Sequence, residues 1–259
     1  MQRIFLALVI AIGIGLAPGA TALAADLARP IYKAPRPAVS DGWTGFYLGI
    51  HAGGAWSNLD WFYPCTATNL LLPPCGLSQG GHSARSWLAG GQVGFNYQVG
   101  QVVLGVEAEF SATALKGEHV DVAFPNDTHH SRTDSIGTVA PRVGVAWDRA
   151  LFYAKGGAAW VRNDYSLAIT SSGLTTYTAA ATRWGWMVGG GIEYALAQNW
   201  SAKVEYNYLD FGTGRVLYAS NGAIPGLLPF EEDITQKIQV VKVGLNYKFG
   251  WNGPVTARY

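Results

Sequence analysis

Charged residues are scarce in this chain, and their scarcity excludes several classes of protein. They make up 14% of the 259 residues, and the formal net charge is +1. Binding to nucleic acid needs a basic surface that neutralises phosphates, so no nucleic-acid partner is expected. After the N-terminal segment no apolar run approaches the roughly 20 residues of a membrane-spanning helix. A mean hydropathy of +0.12 is also too low for a bundle of membrane helices.

The only strongly apolar run lies at the N-terminus and predicts export. Arg3 supplies a positive start, residues 4–16 form an apolar core, and residues 22–24 (Ala-Leu-Ala) form a small-residue cleavage site. The run is too short for a retained anchor, so residues 1–24 are interpreted as a cleaved signal peptide. Residues 25–42 contain three prolines among basic residues and are interpreted as an extended, proline-rich periplasmic tail.

Cysteine is almost absent, which limits covalent and metal chemistry. Cys65 and Cys75 are the only two, and both fall in one predicted loop. In an exported chain such a pair predicts a disulfide, with two free thiols as the alternative. The pair lacks further cysteine or histidine ligands at zinc-site spacing, so a structural zinc site is not expected.

The chain is rich in glycine and aromatic residues that follow a period of two. It has 33 Gly, 13 Tyr and 10 Trp. Residues 183–211 show the pattern best, since Trp184, Trp186 and Val188 alternate with small residues. After a polar break, Trp200 begins a second alternating run. Alternation places successive side chains on opposite faces of a strand, so this stretch predicts an antiparallel hairpin.

The same reading along the chain predicts eight strands. Their expected bounds are 44–56, 87–99, 102–114, 133–147, 151–161, 183–194, 200–211 and 235–249. Long polar loops at 57–85, 116–132, 163–182 and 212–233 alternate with short turns. Segregation of long and short connections is typical of bacterial outer-membrane barrels and unusual in a soluble β-sandwich. We therefore expect an all-β fold, an eight-stranded antiparallel transmembrane β-barrel over residues 43–250, followed by a C-terminal tail at 251–259.

The predicted lumen carries balanced charge. An eight-stranded barrel is just wide enough inside to be filled by side chains. Four acids and four bases fall on inward positions: Glu107, Glu109, Arg142, Lys155, Glu193, Lys203, Glu205 and Lys242. Because buried charges need partners, these residues predict either a salt-bridged plug or a narrow pore gated by rearranged pairs. Their spacing does not separate the two.

Histidines in the second long loop are candidate ligands. His119, His129 and His130 could hold a metal or haem iron through their imidazoles, although solvated loop histidines are the simpler interpretation. The sequence shows no nucleophile and base in a supporting context, so an enzyme is not expected. No cofactor is required by the pattern.

Three segments resemble a known family. These are WTGFYLG at 43–49, KVEYNYLDFG at 203–212 and VGLNYKF at 243–249. They resemble the small outer-membrane β-barrel proteins of alphaproteobacteria, often labelled porin-like or surface antigen and similar to the OmpA membrane domain. The resemblance covers nearly all of the mature chain and implies an integral barrel in the bacterial outer membrane. Phe249 would supply the terminal aromatic that insertion machinery recognises.

The expected function follows from these observations. The chain is interpreted as an outer-membrane barrel with a structural or surface-contact role in the cell envelope. One alternative is a narrow porin for passive diffusion of small solutes, and another is binding of haem or another ligand by the outer loops. Expected partners are outer-membrane lipid and lipopolysaccharide, the barrel insertion machinery, and small solutes or a loop-bound ligand.

Overall fold

A computed structural model describes residues 42–65 and 75–249 of the chain. These residues form eight antiparallel strands and contain no helix. The strands are β1 Gly45–Phe62, β2 Ser78–Val99, β3 Val102–Val120, β4 Asp127–Trp147, β5 Ala150–Ile169, β6 Thr175–Ala195, β7 Trp200–Ser220 and β8 Phe230–Lys248. Accordingly, no helix in these ranges is long and apolar enough to cross a membrane.

Each strand pairs with its neighbours in sequence, and the first pairs with the last. Phe46 of β1 lies opposite Phe95 of β2, and Leu48 of β1 lies opposite Tyr247 of β8. The ladder therefore closes into a barrel with the strand order β1 to β8. Closure leaves no open edge through most of the wall, although regular pairing of β2 with β3 ends at Leu88–Thr113. The predicted fold is confirmed.

The outer surface carries an apolar belt between two aromatic girdles. On β1 the belt runs from Phe46 to Trp56, with Leu48 and Ile50 exposed between them. Eleven tilted residues span about 25 Å, which matches the apolar band of an outer-membrane barrel. The aromatic residues of the inner girdle are Phe46, Tyr97, Trp147, Tyr194, Trp200 and Tyr247, and those of the outer girdle are Trp56, Trp87, Phe110, Trp184 and Trp186. We refer to the strand segments between the girdles as the membrane belt.

The four long loops that the sequence predicts are mostly strand, so that prediction is wrong in extent. The connections on that side shrink to 63–77, 121–126, 170–174 and 221–229, while the turns on the other side are only 100–101, 148–149 and 196–199. The asymmetry between the two ends holds, but the strands continue well past the outer girdle. We call this continuation the outer extension.

The polarity of the two faces is exchanged in the outer extension, which explains the error. On β1, Leu59 and Trp61 point inward and are buried, whereas Asn58 and Asp60 point outward. Within the belt the apolar face meets lipid, but beyond it the outside meets water and the inside forms a core. The period of two continues past Trp56. The apolar residues of β1 then lie on its inner face, so the strand no longer shows an apolar outer face.

Layers of side chains fill the barrel along its length. A small apolar cluster around Val103 and Leu151 lies at the inner end, and the charged layer follows. A larger apolar layer around Leu88, Met187 and Leu209 comes next. The outer extension holds an aromatic cluster around Trp61, Tyr165 and Tyr218.

A proline interrupts the ladder of β4. Pro141 lies inside β4, and pairing with β5 is interrupted there, between Val139–Ala158 and Arg142–Lys155, opposite Gly156 and Gly157. The strand therefore accommodates the proline by giving up a short stretch of the ladder. The expected signal peptide (1–24), most of the tail at 25–42 and the C-terminal segment 251–259 lie outside the described residues.

Candidate functional site

The structure brings the eight predicted lumen charges together in one buried layer, which we call the charge network. Lys155 Nζ lies 2.8 Å from Glu107 Oε1, 3.1 Å from Glu109 Oε2 and 2.7 Å from Glu205 Oε1. Lys203 Nζ reaches the same three carboxylates at 3.0, 3.2 and 3.4 Å. Two ammonium groups thus share three carboxylates, and each partner neutralises several others.

The remaining charged residues extend the network in both directions. Lys242 Nζ lies 2.6 Å from Glu109 Oε2 and 3.0 Å from Glu205 Oε1. Arg142 donates to Glu193 Oε2 at 3.2 Å, and its guanidinium lies over the ring of Tyr47 at 4.8 Å. All eight charged side chains are at most 5% exposed, and each has at least one ion-pair partner.

Neutral side chains complete the hydrogen bonding of the carboxylates. Tyr47 Oη donates to Glu107 at 2.8 Å, and Tyr153 Oη donates to Glu205 at 2.7 Å. Asn207 Nδ2 donates to Glu205 at 2.7 Å. The cavity between the network and the apolar layer above it measures about 20 Å³, which holds a single water molecule. The side chains of the network therefore pack closely against this apolar layer.

A buried serine and histidine lie beside this layer. His51 Nε2 is 2.7 Å from Ser111 Oγ, and His51 Nδ1 is 2.5 Å from Gln92 Oε1. The spacing resembles that of a nucleophile and its base, but a glutamine takes the place of an orienting carboxylate. His51 and Ser111 are 4% and 7% exposed inside a filled lumen. We interpret the pair as part of the packing.

The loop histidines separate into inward and outward groups. His119 on β3 and His129 on β4 point inward, and their rings stack with centroids 5.0 Å apart. His130 points outward and pairs with Glu118 at 3.1 Å on the surface. The sequence analysis missed His82 on β2, whose Nδ1 lies 3.1 Å from His119 Nδ1. Its alternation with Ala84 and Leu88 could have identified it as inward.

We call His82, His119 and His129, with Asp121 and Glu232, the histidine cluster. His129 Nε2 lies 3.4 Å from Asp121 Oδ2, and its Nδ1 lies 3.7 Å from Glu232 Oε2. His129 and Glu232 are 1% and 2% exposed. Buried atoms without a hydrogen-bond partner concentrate here: His119 Nε2, His129 Nδ1, Glu232 Oε2 and the neighbouring Gln79 Oε1.

The cluster lies beyond the membrane belt, and its environment shifts several proton affinities. Burial, aided by the charge of His129, lowers the pKa of both His82 and His119 to about 4. Burial raises the pKa of Glu232 to about 7. Burial alone would raise the pKa of Asp121, but hydrogen bonds from His129 and two backbone amides outweigh it and lower the pKa. At neutral pH, His82 and His119 therefore offer neutral imidazoles.

Cys65 and Cys75 are joined by a disulfide in the first outer connection. The bridge closes a ten-residue separation between the outer ends of β1 and β2. It lies outside the barrel wall, so it restrains the connection rather than the lumen.

Sequence comparisons match this architecture. The family model described as "outer membrane protein beta-barrel domain" matches residues 16–249. The chain is 31% identical over 236 residues to the 31 kDa outer-membrane immunogenic protein of Brucella melitensis, covering 88% of this chain and 94% of that protein. It is 28% identical over 233 residues to the 25 kDa outer-membrane immunogenic protein of Brucella abortus, covering 89% and 92%.

Among solved structures, the crystal structure of the outer-membrane protease OmpT from Escherichia coli is similar. The match has a TM-score of 0.48 and 10% sequence identity, and it covers 79% of this chain and 97% of that one.

Proposed function

Because this chain belongs to the outer membrane β-barrel protein family, we propose that it is a closed, non-catalytic barrel that serves the envelope as a structural and surface element. It is an integral outer-membrane protein, and its relatives carry surface-antigen names. We propose further that the barrel does not conduct solutes and performs no chemistry.

The charge network is the observation that supports closure. Two lysines sit among three carboxylates at 2.7–3.4 Å, and four acids meet four bases. Breaking one buried pair leaves an uncompensated charge, which costs about 3–5 kcal/mol. A hydrated path through the layer would need several pairs to separate at once. The apolar layer around Met187 and Leu209 adds a second barrier, because it offers water few polar partners.

The outer extension supports the surface role. Its outward face is polar, with residues such as Asn58, Asp60 and Arg132 exposed to water. Its interior is packed by the aromatic cluster, so the extension is a rigid projection. The apolar belt and its girdles favour outer-membrane lipid, with lipopolysaccharide around the projection, as the immediate surroundings.

Ionic conductance of the refolded protein in a planar bilayer tests closure. Insertion is verified by the shift in gel migration between boiled and unboiled samples, and an open porin prepared identically is the positive control. We expect a quiet baseline from inserted protein. Reproducible discrete steps would overturn the closed barrel and favour the narrow porin. If such steps changed ion selectivity in Lys203→Met, the path would run through the charge network.

A further inference from the structure

Two inward-pointing histidines lie side by side on neighbouring strands of the outer extension. Regular pairing between β2 and β3 runs from Leu88–Thr113 to Val99–Val102, and His82 and His119 lie beyond its outer end. Both rings are half-buried, so the pair is reachable from outside while it is held by its surroundings. It stands on two strands of a rigid barrel rather than on a loose loop.

The spacing of the two donor atoms suits one metal ion. His82 Nδ1 and His119 Nδ1 are 3.1 Å apart and share a hydrogen bond, in which one ring donates its N–H to the other; a bound ion would replace that proton. Imidazole nitrogens bind zinc at about 2.0–2.1 Å, so two on a tetrahedral ion lie about 3.3 Å apart. Two nitrogens on opposite sides of a haem iron would instead lie about 4 Å apart, twice that bond length. The pair therefore fits adjacent positions on a single ion.

The surrounding backbone makes room for both rings. A Cβ added at Gly117 would lie 2.1 Å from His82 Cδ2, and one at Gly80 would lie 3.0 Å from His119 Cδ2. Each imidazole thus occupies space that another residue would fill. His119 also stacks on His129, which fixes the orientation of its ring.

A second sphere of contacts is also present. His82 Nε2 lies 2.7 Å from Ser131 Oγ. Metal-binding histidines usually donate their other ring N–H to an oxygen acceptor such as a carboxylate, a backbone carbonyl or water, and the Ser131 hydroxyl oxygen can play that part here, with Nδ1 turned toward His119. Near the pair, His129 pairs with Asp121, so an acidic group balances part of an added positive charge.

Several buried polar atoms around the imidazole pair have no hydrogen-bond partner. His129 is 1% exposed and its Nδ1 has no hydrogen-bond partner; the same holds for Glu232 Oε2 and His119 Nε2. Leaving a buried polar atom unpaired costs about 1–3 kcal/mol. His129 Nδ1 and Glu232 Oε2 lie 3.7 Å from each other, beyond hydrogen-bond distance, so the polar groups beside the imidazole pair are only loosely satisfied by one another.

We propose that His82 and His119 form a site for one divalent transition-metal ion, of the zinc, nickel or copper type, with water completing its coordination. Imidazole donors favour these ions over calcium and magnesium, which prefer oxygen. The site differs from the set predicted from sequence, because His130 lies outside it and His82 enters it.

Metal titration of the refolded, tag-free full chain tests the proposal. Ni²⁺ or Zn²⁺ is added in a non-coordinating buffer and followed by calorimetry, with Ca²⁺ as the negative comparison. We expect one equivalent to bind and His119→Gln to weaken the affinity by at least about tenfold. His130→Ala is the matched control and should bind as the wild type does. Ser131→Ala should weaken binding by about 10- to 100-fold, the usual cost of losing such a contact.

Ring NMR signals of the wild type supply a readout that needs no variant. Saturating Zn²⁺ should move the signals of His82 and His119 and leave that of His130 unchanged. Each variant is first checked for heat-dependent gel migration, so that a misfolded barrel is recognised. Absence of binding by folded wild type, or equal loss in the His119 and His130 variants, would overturn the site.

Discussion

The charge network and the histidine cluster are two buried polar layers in one barrel, and they differ in completeness. In the network each charged side chain has an ion-pair partner, and acids and bases are equal in number. In the cluster three imidazoles meet two carboxylates, and three buried atoms of the cluster, together with Oε1 of the neighbouring Gln79, have no hydrogen-bond partner. A fully satisfied polar layer rigidifies a core, whereas unsatisfied buried polar groups cost stability and call for an explanation.

Their positions along the barrel explain the difference. The network lies within the membrane belt, where no water solvates an unpaired charge. The cluster lies in the outer extension, where His82 and His119 are half-buried and stand outside the lipid-facing belt. We therefore propose that the inner layer closes the barrel and that the outer layer is available for binding.

Removing one cation from the network should have the largest effect. Lys203→Met leaves Glu107, Glu109 and Glu205 one ammonium short inside the belt. We expect a loss of about 3–5 kcal/mol in the free energy of unfolding, measured by urea titration in detergent. Lys237→Met, at an exposed position of β8, is the matched control and should unfold near the wild-type midpoint. Equal midpoints for the two variants would contradict a network that depends on complete pairing.

The buried carboxyl of Glu232 should make the outer layer sensitive to pH. Its pKa in the folded protein is about 7 against an ordinary 4.5, so the folded state holds the proton more tightly than the unfolded state. Its contribution to stability is therefore complete below pH 4.5 and is lost as the pH rises through 7. The loss is on the order of 3 kcal/mol.

Glu232→Gln isolates this contribution, because the other groups around it (His129, Asp121 and Tyr218) are the same in both proteins. Urea unfolding of the two proteins at pH 5, 7 and 8.5 is the measurement. The variant should gain relative to the wild type as the pH rises. A difference between the two proteins that stays constant with pH would show that Glu232 ionises normally.

Filling the space beside His82 should have a small effect on stability and a clear effect on the cluster. The Cβ of Gly117→Ala meets His82 Cδ2 and should displace the ring from His119. We expect the barrel to keep its heat-dependent migration while the ring signals of His82 and His119 shift. Gly222→Ala is not a suitable control, because Gly222 has a φ of +81° and the alanine would be strained there. Ala180→Gly serves as the control instead. Unchanged ring signals in Gly117→Ala would mean that the pair is not held by this contact.

The sequence predicted the belt well and the outer extension poorly, for a physical reason. In the belt, lipid requires an apolar outer face, so residues such as Phe46, Leu48 and Ile50 mark the strand directly. The inward positions of the eight charges follow from the same alternation. Beyond Trp56 the apolar residues move inside, and the strand looks like an ordinary polar loop.

Contacts between residues far apart in the sequence were harder to foresee. His82 and His119 are 37 positions apart and meet only because β2 and β3 run side by side beyond their paired region. Glu232 joins from β8 across the closure of the barrel. Alternation indicates which side chains point inward, but the heights at which they meet depend on the register of every strand between them.

Water access to the lysine ammonium groups tests the closed lumen most directly. With ¹⁵N at lysine Nζ, the exchange of each ammonium with water is measured in the folded protein by NMR, using Lys116 and Lys237 as exposed references. The account predicts slow exchange and sharp signals for Lys155, Lys203 and Lys242, because each is at most 3% exposed and bonded to carboxylates. Exchange of these three at the rate of the exposed lysines would mean that water fills the lumen, and the closed barrel would be contradicted.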